Sequence, residues 1–469
     1  MAGDTSRLAS EPAAPGTRLW RWSQAACATT RSWRLYPFSA WSSRAAGRRL
    51  LDRDAILTAR DERLHALLRF TLRQVPLYQR LTATLGVDLQ RDGPAACFAA
   101  LPCLDRELLQ EAVQAGVVFG RLGACTEFRS TSGTTGRPLV VPRCWRAQVA
   151  EAADLALRLQ VMGLAPADRP AFGQANYVYV SDSEYRPALR ELTRRMPLLG
   201  WARFRKFDLR TVHETDAAAL VDRIAAARPV VLTGKPSSLE VLADHQGRHP
   251  APAIRPALII TGAEKLPDDL RHRLATLFHA PVRETYGLTE TGPVGVECPQ
   301  RRGLHLAEDR HIVEVLDDDG DPVQDGEAGE LVVTDLGNFA MPLLRYRTGD
   351  VGRLLPGACP CGVAHRRLEL LEGRLVDHFR DARGGRISPL RLTAGLRTLP
   401  LRQFQIVQRS LGEVLVRYVG APDETQVAEA LRADVDACIG PGVTVRARRE
   451  ADRLDVPGEK FRPYRCEVA

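Results

Sequence analysis

The stretch at residues 130–138 reads STSGTTGRP and combines five hydroxyl side chains with two glycines and one arginine. Small side chains leave the backbone N–H groups accessible, and these groups and the hydroxyls are the donors that hold phosphate oxygens. No Gly-Lys-Ser/Thr ending follows, so the stretch is a phosphate cradle of a kind other than the Walker loop. Taken alone, the stretch also fits a flexible linker.

Three further polar segments follow in order: YGLTE at 286–290, RYRTGD at 345–350 and GRLVD at 373–377. Each has a structural alternative when it is read singly. Tyr286 fits a core aromatic, Glu290 an acid at the start of a helix, and Asp350 a turn residue. Their joint occurrence behind a phosphate cradle favours a nucleotide site.

The segments STSGTTGRP, ITGAEKLP, RETYGLTE, LLRYRTGD and EGRLVDHF, in this order and rough spacing, resemble the acyl-adenylate-forming (AMP-binding) superfamily, and within it the phenylacetate–CoA ligase branch. The resemblance runs from about residue 75 to the C-terminus. It implies an ATP-dependent acid–thiol ligase that uses Mg²⁺, activates an aromatic carboxylic acid as acyl-AMP, and transfers the acyl group to CoA. Transfer to an amine or a carrier-protein thiol, and a catalytically silent nucleotide-binding partner protein, are the alternatives.

The resemblance also implies the roles of individual residues. Residues 130–137 would contact the β- and γ-phosphates of ATP, Tyr286 the adenine and Thr289 the α-phosphate, while Glu290 would bind Mg²⁺, which prefers oxygen ligands. Asp350 would accept both ribose hydroxyls. The nucleotide-binding residues implied are Ser130, Thr131, Ser132, Gly133, Thr134, Thr135, Gly136, Arg137, Gly262, Ala263, Glu264, Tyr286, Gly287, Asp350 and Arg374. The catalytic residues implied are Lys460, Thr289 and Glu290, and Asp377 matches the hinge between the domains.

Lys460 stands in the C-terminal segment DVPGEKFRPYR of a chain whose basic residues are mostly arginine. A mobile ammonium that reaches both carboxylate and phosphate makes the attack of one anion on another possible. The alternative is a surface lysine. The segment has GEK where GK is commoner in the superfamily, which affects how far Lys460 reaches.

A second constellation consists of cysteines and histidines in the segments ECPQRRGLH and GACPCGVAH. Three thiolates and one imidazole suffice for a closed tetrahedral zinc site with a structural role. The predicted ligands are Cys298, His305, Cys359 and Cys361, with His365 as a replacement for His305. Some phenylacetate–CoA ligase relatives carry a structural zinc from such segments, and free thiols are the alternative.

The acyl and acceptor sites match the superfamily less well. Tyr177, Tyr179 and Tyr185 could line a pocket for an aromatic acid, or the first two could be ordinary strand aromatics that share one face. CoA would need the segment 380–389, where Gly384 and Gly385 give room for a pantetheine arm or form a hairpin turn.

The elements that must position these residues alternate along the chain. Helical spacing covers 53–85 with a break at Pro76, and another helix covers 147–162. Strands at 229–234, 256–262 and 281–287 alternate with helices, which predicts a parallel sheet whose loops bind ligands at the carboxyl ends of the strands. Beyond residue 300 the pattern indicates antiparallel strands. The tail predicts a helix at 390–398, two strands, a helix at 424–438 and a last strand near 443–449.

The predicted fold class is therefore a large α/β N-terminal domain, with parallel sheets, flanking helices and an antiparallel β subdomain, and a small α+β C-terminal domain, which the resemblance implies is mobile. The boundaries are a disordered tail at 1–18, the main domain at 19–373 and a lid domain at 374–469. The Trp-rich segment 20–41 would pack onto the main body, with docking to a partner or a membrane surface as the alternative.

The bulk composition limits the partners. The net charge of +8 comes from arginines interleaved with acids, so a nucleic-acid partner is not expected. The sequence contains no run of about 18 apolar residues and no secretory signal, so we expect no transmembrane segment, a cytoplasmic location and reduced cysteines. Whether the chain forms a homodimer stays open at this point.

Overall fold

The computed structural model describes residues 51–120, 122, 125–130, 139–164, 175–181, 202–208, 217–248, 250, 253–317, 319–372, 379–382, 386–387, 392, 395–396, 399–451, 454 and 464–468. The tail 1–18 and the segment 20–41 lie outside the described residues. So do these residues singled out by the sequence: Thr131, Ser132, Gly133, Thr134, Thr135, Gly136, Arg137, Tyr185, Arg374, Asp377, Gly384, Gly385 and Lys460.

The chain as described begins with helices, and carboxylate caps fix where several of them start. The carboxylate of Asp52 accepts the N–H of Ala55 at the start of the first helix, and Pro76 begins the second helix, so the predicted break is confirmed. The helices are α1 (Arg53–Gln74), α2 (Pro76–Leu85), α3 (Leu89–Ala100) and α4 (Arg106–Gln114).

A two-stranded antiparallel hairpin follows, in which Ser130 pairs with Val140. Residues 131–139, which include most of the predicted phosphate cradle, stand between these two strands in the sequence. The strands are β1 (Cys125–Ser130) and β2 (Val140–Cys144), and the helix α5 (Trp145–Val161) comes directly after them.

The predicted parallel sheet is confirmed. The pairs β3–β4, β3–β5, β5–β6 and β6–β7 are all parallel, and apolar side chains such as Ile259 and Leu274 form the core between strands and helices. The elements are β3 (Ala175–Ser181), β4 (Ala202–Asp208), α6 (Ala217–Ala226), β5 (Pro229–Gly234), α7 (Pro236–Arg248), β6 (Leu258–Gly262), α8 (Asp268–Phe278) and β7 (Val282–Leu288).

Three of the pairs that follow are antiparallel, and one of them joins strands that both lie beyond residue 300, where the sequence predicts antiparallel structure. The pairs β7–β8, β8–β9 and β9–β13 run antiparallel. The strands are β8 (Gly292–Glu297), β9 (Leu304–Leu306), β10 (His311–Leu316), β11 (Gly329–Asp335), β12 (Tyr346–Leu355) and β13 (Arg367–Glu372). Together with β3 to β7 they form a sheet of eleven described strands in the order β10-β11-β12-β13-β9-β8-β7-β6-β5-β3-β4.

The C-terminal part carries its own four-stranded sheet in the order β18-β17-β16-β19. Helix α9 begins at a capping box of Asp423 and Gln426 and buries Val427, Leu431 and Val435. The strand predicted near 443–449 is confirmed as Thr444–Arg449, but it is not the last strand, because Tyr464–Cys466 adds a further strand that pairs in parallel with Leu401–Ser410. The elements are β14 (Phe379–Arg380), β15 (Arg386–Ile387), β16 (Leu401–Ser410), β17 (Glu413–Gly420), α9 (Glu424–Cys438), β18 (Thr444–Arg449) and β19 (Tyr464–Cys466). The helix predicted at 390–398 lies mostly outside the described residues.

The chain divides into two compact units. The first unit contains the chain up to Glu314 together with Val332–Arg347 and Leu354–Glu369, and the second contains Val315–Leu331, Thr348–Arg353 and Leu370–Ala469. Within the part of the chain that the structure describes, no helix combines the length and the apolar character needed to cross a membrane.

Candidate functional site

Three loops of the first unit leave the carboxyl ends of neighbouring parallel strands. Lys235 follows β5, Glu264 follows β6 two residues after the strand ends, and Lys235 Nζ lies 3.9 Å from Glu264 Oε1. Tyr286 lies in β7, and the register places Gly262 of β6 beside Thr285. The sequence segments TGK, TGAEK and YGLTE therefore meet at one edge of the sheet, where ligands of such sheets bind.

The loop after β6 has a backbone that its sequence does not favour. Ala263 has a φ of 68°, a left-handed conformation that is uncommon for a residue with a Cβ. A Cβ at Gly262 would lie 2.5 Å from the carbonyl oxygen of Thr285, so only glycine fits there. Such backbone strain is typical of functional sites.

Glu290 lies in the turn between β7 and β8 and is almost completely buried, with 1 % of its side chain exposed. Its Oε1 accepts a hydrogen bond from the hydroxyl of Tyr346 at 3.1 Å and lies 3.4 Å from Nη1 of Arg106. Among the described residues, no group hydrogen-bonds to its other oxygen, Oε2. A buried carboxylate with one oxygen fixed and one oxygen unsatisfied is suited to a cation.

Two buried side chains contact the main-chain carbonyl groups of the same turn. The fully buried guanidinium of Arg143, on β2, donates to the carbonyl oxygen of Glu290 at 3.3 Å and pairs with the carboxylates of Asp335 and Glu151. Nε2 of His311 lies 3.2 Å from the carbonyl oxygen of Thr291. The turn therefore has a fixed backbone position.

Glu151, on α5, connects this turn to the hairpin formed by β1 and β2. Its carboxylate pairs with Arg143 on the strand that follows residues 131–139 and, at 2.7 Å, with Arg129 on the strand that precedes them. Burial alone would raise the pKa of Glu151, but the charges of Arg143 and Arg129 outweigh it and hold the pKa well below its ordinary value. Glu151 is therefore anionic at neutral pH and binds both sides of the hairpin.

Of the remaining predicted nucleotide residues, Tyr286 is mostly buried, Gly287 lies on β7, and Thr289 lies in the turn that follows this strand. Asp350 belongs to the second unit and is 7 % exposed, and its N–H donates to the hydroxyl of Thr348 at 3.0 Å.

Tyr177 and Tyr179 lie on β3, as the alternation of their side chains indicates. Tyr177 packs against the core cluster that contains Leu159 and Met162, and burial raises its pKa. Its position therefore fits the ordinary strand aromatic that was the alternative to a pocket residue.

The predicted cysteine and histidine ligands come together. One ligand atom from each of Cys298, His305, Cys359 and Cys361 can be chosen so that all lie within 4.8 Å of one another. The sulfurs of Cys298 and Cys359 are 3.8 Å apart, and the Cys361 sulfur is 3.2 Å from His305 Nε2. Tetrahedral zinc with Zn–S bonds of about 2.3 Å holds sulfurs about 3.8 Å apart, so the residues fit the ion.

The histidine of this cluster is oriented for ligation. Nδ1 of His305 faces the carbonyl oxygen of His365 at 3.3 Å, which leaves Nε2 toward the sulfurs. Burial lowers the pKa of His305 to about 4, so the imidazole is neutral at pH 7. His365, the replacement ligand considered from sequence, instead accepts the N–H of Glu308 at 3.3 Å. The geometry therefore favours His305.

Several side chains of the site were not identified from the sequence. They are Arg106, Arg129, Arg143, Glu151, Asp335 and Tyr346. Arg143 gives a weak signal, because it is a charge within the apolar run LVVPRCW. Glu151 gives none, because an acid on a helix is usually solvated.

Comparison with known proteins gives the following similarities. Residues 208–341 match the family model described as AMP-binding enzyme. The phenylacetate-coenzyme A ligase of Thermus thermophilus is 29 % identical over 372 residues, which cover 77 % of this chain and 80 % of the relative. That of Pseudomonas putida is 27 % identical over 390 residues, covering 81 % and 83 %. A solved structure of 2-hydroxyisobutyryl-CoA ligase aligns with a TM-score of 0.61 at 19 % identity and covers 88 % of this chain and 91 % of that one, which shows a shared fold.

Proposed function

The chain belongs to the AMP-binding superfamily, on its phenylacetate–CoA ligase branch, and from this premise we propose that it is an AMP-forming ligase that joins a carboxylic acid to CoA. The observation that carries the proposal is the buried network of Arg129, Glu151 and Arg143. It holds both strands that flank residues 131–139 and, through the Glu290 carbonyl, the turn after β7. The β1–β2 hairpin and the turn after β7, which lie far apart in sequence, are thus held by the same three side chains.

In the first step, a carboxylate oxygen of the acid attacks the α-phosphorus of ATP, and the bond to pyrophosphate breaks. Residues 130–137 would hold the β- and γ-phosphates, Tyr286 the adenine and Thr289 the α-phosphate. Lys460 would stabilise the charge that develops as the two anions react. Asp350 and Arg374 would bind the ribose.

Glu290 is the residue that would hold Mg²⁺. The fit rests on its Oε2, a buried carboxylate oxygen without a hydrogen-bond partner among the described residues. When bound, the ion neutralises phosphate charge, while the fixed backbone of the turn keeps the carboxylate in place.

In the second step, the CoA thiol attacks the acyl carbonyl carbon, and the bond to AMP breaks. Residues 374–469 would act as a lid domain that rotates about Asp377 and exchanges Lys460 for the acceptor-binding segment 380–389. An aromatic acid is the substrate class that the resemblance favours.

Exchange of labelled pyrophosphate into ATP, measured with a panel of aryl and amino acids, tests this function. We expect exchange with at least one aromatic acid, and conversion of that acid to its CoA thioester only when CoA is added. A panel without any exchange would make the ligase function wrong. An amide or carrier-bound product in the absence of CoA would instead identify a different acceptor.

We further propose that Cys298, His305, Cys359 and Cys361 hold a structural Zn²⁺. All four ligands come from the protein, so no position is left for substrate. The ion would tie the loop after β8 to the loop after β12, because Cys298 follows the first of these strands and Cys359 and Cys361 follow the second.

Replacing Cys359 with serine is expected to remove the zinc and lower the melting temperature, because metal binding contributes directly to folding. Elemental analysis should find about one zinc per wild-type chain, and none in the variant. Cys97→Ser is the matched control, since Cys97 is 1 % exposed but lies on α3 outside the cluster. A Cys359→Ser protein with full zinc content would contradict the site.

A further inference from the structure

Glu290 is held by groups from two segments that stand far from it in the sequence. The Tyr346 hydroxyl donates to Oε1 at 3.1 Å, and the Arg106 guanidinium lies 3.4 Å from the same oxygen. Tyr346 is 2 % exposed, and 20 % of the Arg106 side chain is accessible. Both contacts thus use one oxygen of the carboxylate and leave the other available.

A parallel β-bridge between Leu104 and Tyr346 fixes the backbone close to both side chains. The N–H of Leu104 donates to the carbonyl oxygen of Arg345, and the N–H of Arg347 donates to the carbonyl oxygen of Leu104, each at 2.8 Å. Leu104 thereby pairs with Tyr346 in a parallel bridge. Two such hydrogen bonds on either side of Tyr346 hold the backbone from which its hydroxyl reaches Glu290.

The start of α4 fixes Arg106 in the same way. Asp105 is the N-cap, and its carboxylate accepts the N–H of Leu108 at 2.7 Å. Arg106 is the first residue of the helix and stands two residues after the bridged Leu104. The bridge fixes the backbone of Tyr346 and the cap fixes the backbone of Arg106, so that both side chains contact the carboxylate of Glu290.

We propose that Tyr346 is a positioning residue that fixes Glu290 for the cation of Mg–ATP, and that Arg106 is the resident counter-ion of that carboxylate. This inference rests on the proposed function. Because the hydrogen bond from Tyr346 already fixes Oε1, the carboxylate loses less conformational entropy when Oε2 binds the cation. Arg106 supplies the positive charge that a buried carboxylate requires before the nucleotide binds.

The two roles have opposite effects on cation binding. Tyr346→Phe removes a hydrogen bond without changing charge, so the Mg²⁺ concentration that half-saturates ATP binding should rise about tenfold. Arg106→Gln removes a competing positive charge, so that concentration should fall about threefold. A purely structural role would shift both variants in the same direction.

Titration calorimetry of ATP against the full chain, at a series of Mg²⁺ concentrations and in EDTA, measures these shifts without turnover. Tyr78→Phe is the matched control. The Tyr78 hydroxyl is buried, donates to the carbonyl oxygen of Pro342 at 3.0 Å and accepts the N–H of Leu344 at 3.0 Å, and neither hydrogen bond includes Glu290. We expect Tyr78→Phe to lower the melting temperature and to leave the Mg²⁺ dependence unchanged.

The outcomes separate this inference from the proposed function. If wild-type protein binds ATP without any Mg²⁺ dependence, the function and the inference are both wrong. If the dependence is present but Tyr346→Phe shifts it no more than Tyr78→Phe does, the positioning role alone is overturned. A rise of the half-saturating concentration in Arg106→Gln would overturn the counter-ion role.

Discussion

Glu290→Gln is expected to lower the rate of ATP–pyrophosphate exchange about 100-fold. The substitution keeps the shape of the side chain but removes the negative charge that would hold the magnesium ion. It also gives Arg106 a neutral amide in place of a charged carboxylate. Charge placed in a water-excluded site is worth far more than in water, which is why one charge has so large an effect. The measurement uses the acid for which wild-type exchange is fastest.

Two further variants test whether the loss of exchange is specific to the proposed catalytic residues. Glu297→Gln is the control, because Glu297 is also a buried carboxylate of the first unit, paired with Arg271 at 2.9 Å, yet lies at the far end of β8 from Glu290. We expect it to destabilise the protein and to change exchange less than threefold. Lys460→Ala should reduce exchange by an amount similar to that of Glu290→Gln. If the exchange rate of Glu290→Gln were within threefold of wild type, the proposed catalytic role of Glu290 would be wrong.

The sequence predicts elements well where the signal is local. The strand Pro229–Gly234 and the helix Glu424–Cys438 have the predicted bounds, since a proline and a glycine bracket the first and a capping box starts the second. The strand Tyr464–Cys466 was missed because it is three residues long and its parallel partner, β16, is distant in the chain.

In the candidate site, too, features with a local signal were predicted from the sequence and features formed by long-range contacts were not. The four residues of the Cys/His cluster could be grouped from residue type and from their place in two short segments, because few side chains provide sulfur or imidazole. The support of Glu290 could not be predicted, because Arg106, Arg143 and Tyr346 meet it only through long-range contacts. Motifs thus identify the candidate substrate-binding residues better than the residues that hold them in place.

The second large effect concerns stability. Glu151→Gln is expected to lower the free energy of unfolding by about 3 kcal/mol at pH 7, because it leaves the buried Arg143 and the partly buried Arg129 with less compensating charge. Urea denaturation measures the loss. Asp61→Asn, which removes the carboxylate of an exposed pair with Arg60, is the control and should cost less than about 1 kcal/mol.

The pH dependence distinguishes charge from packing. The pKa of Glu151 in the folded protein lies below the ordinary value of 4.5, so its contribution is complete above that pH and is lost as the pH falls toward the folded pKa. The difference between wild type and Glu151→Gln should therefore be constant from pH 8 to 6. Below pH 4.5 it should shrink by about 1.4 kcal/mol per pH unit. A difference that is the same at pH 7 and pH 3.5 would mean that Glu151 stabilises the hairpin by its shape. The position of the two strands that flank residues 131–139 would then not depend on the charge of Glu151.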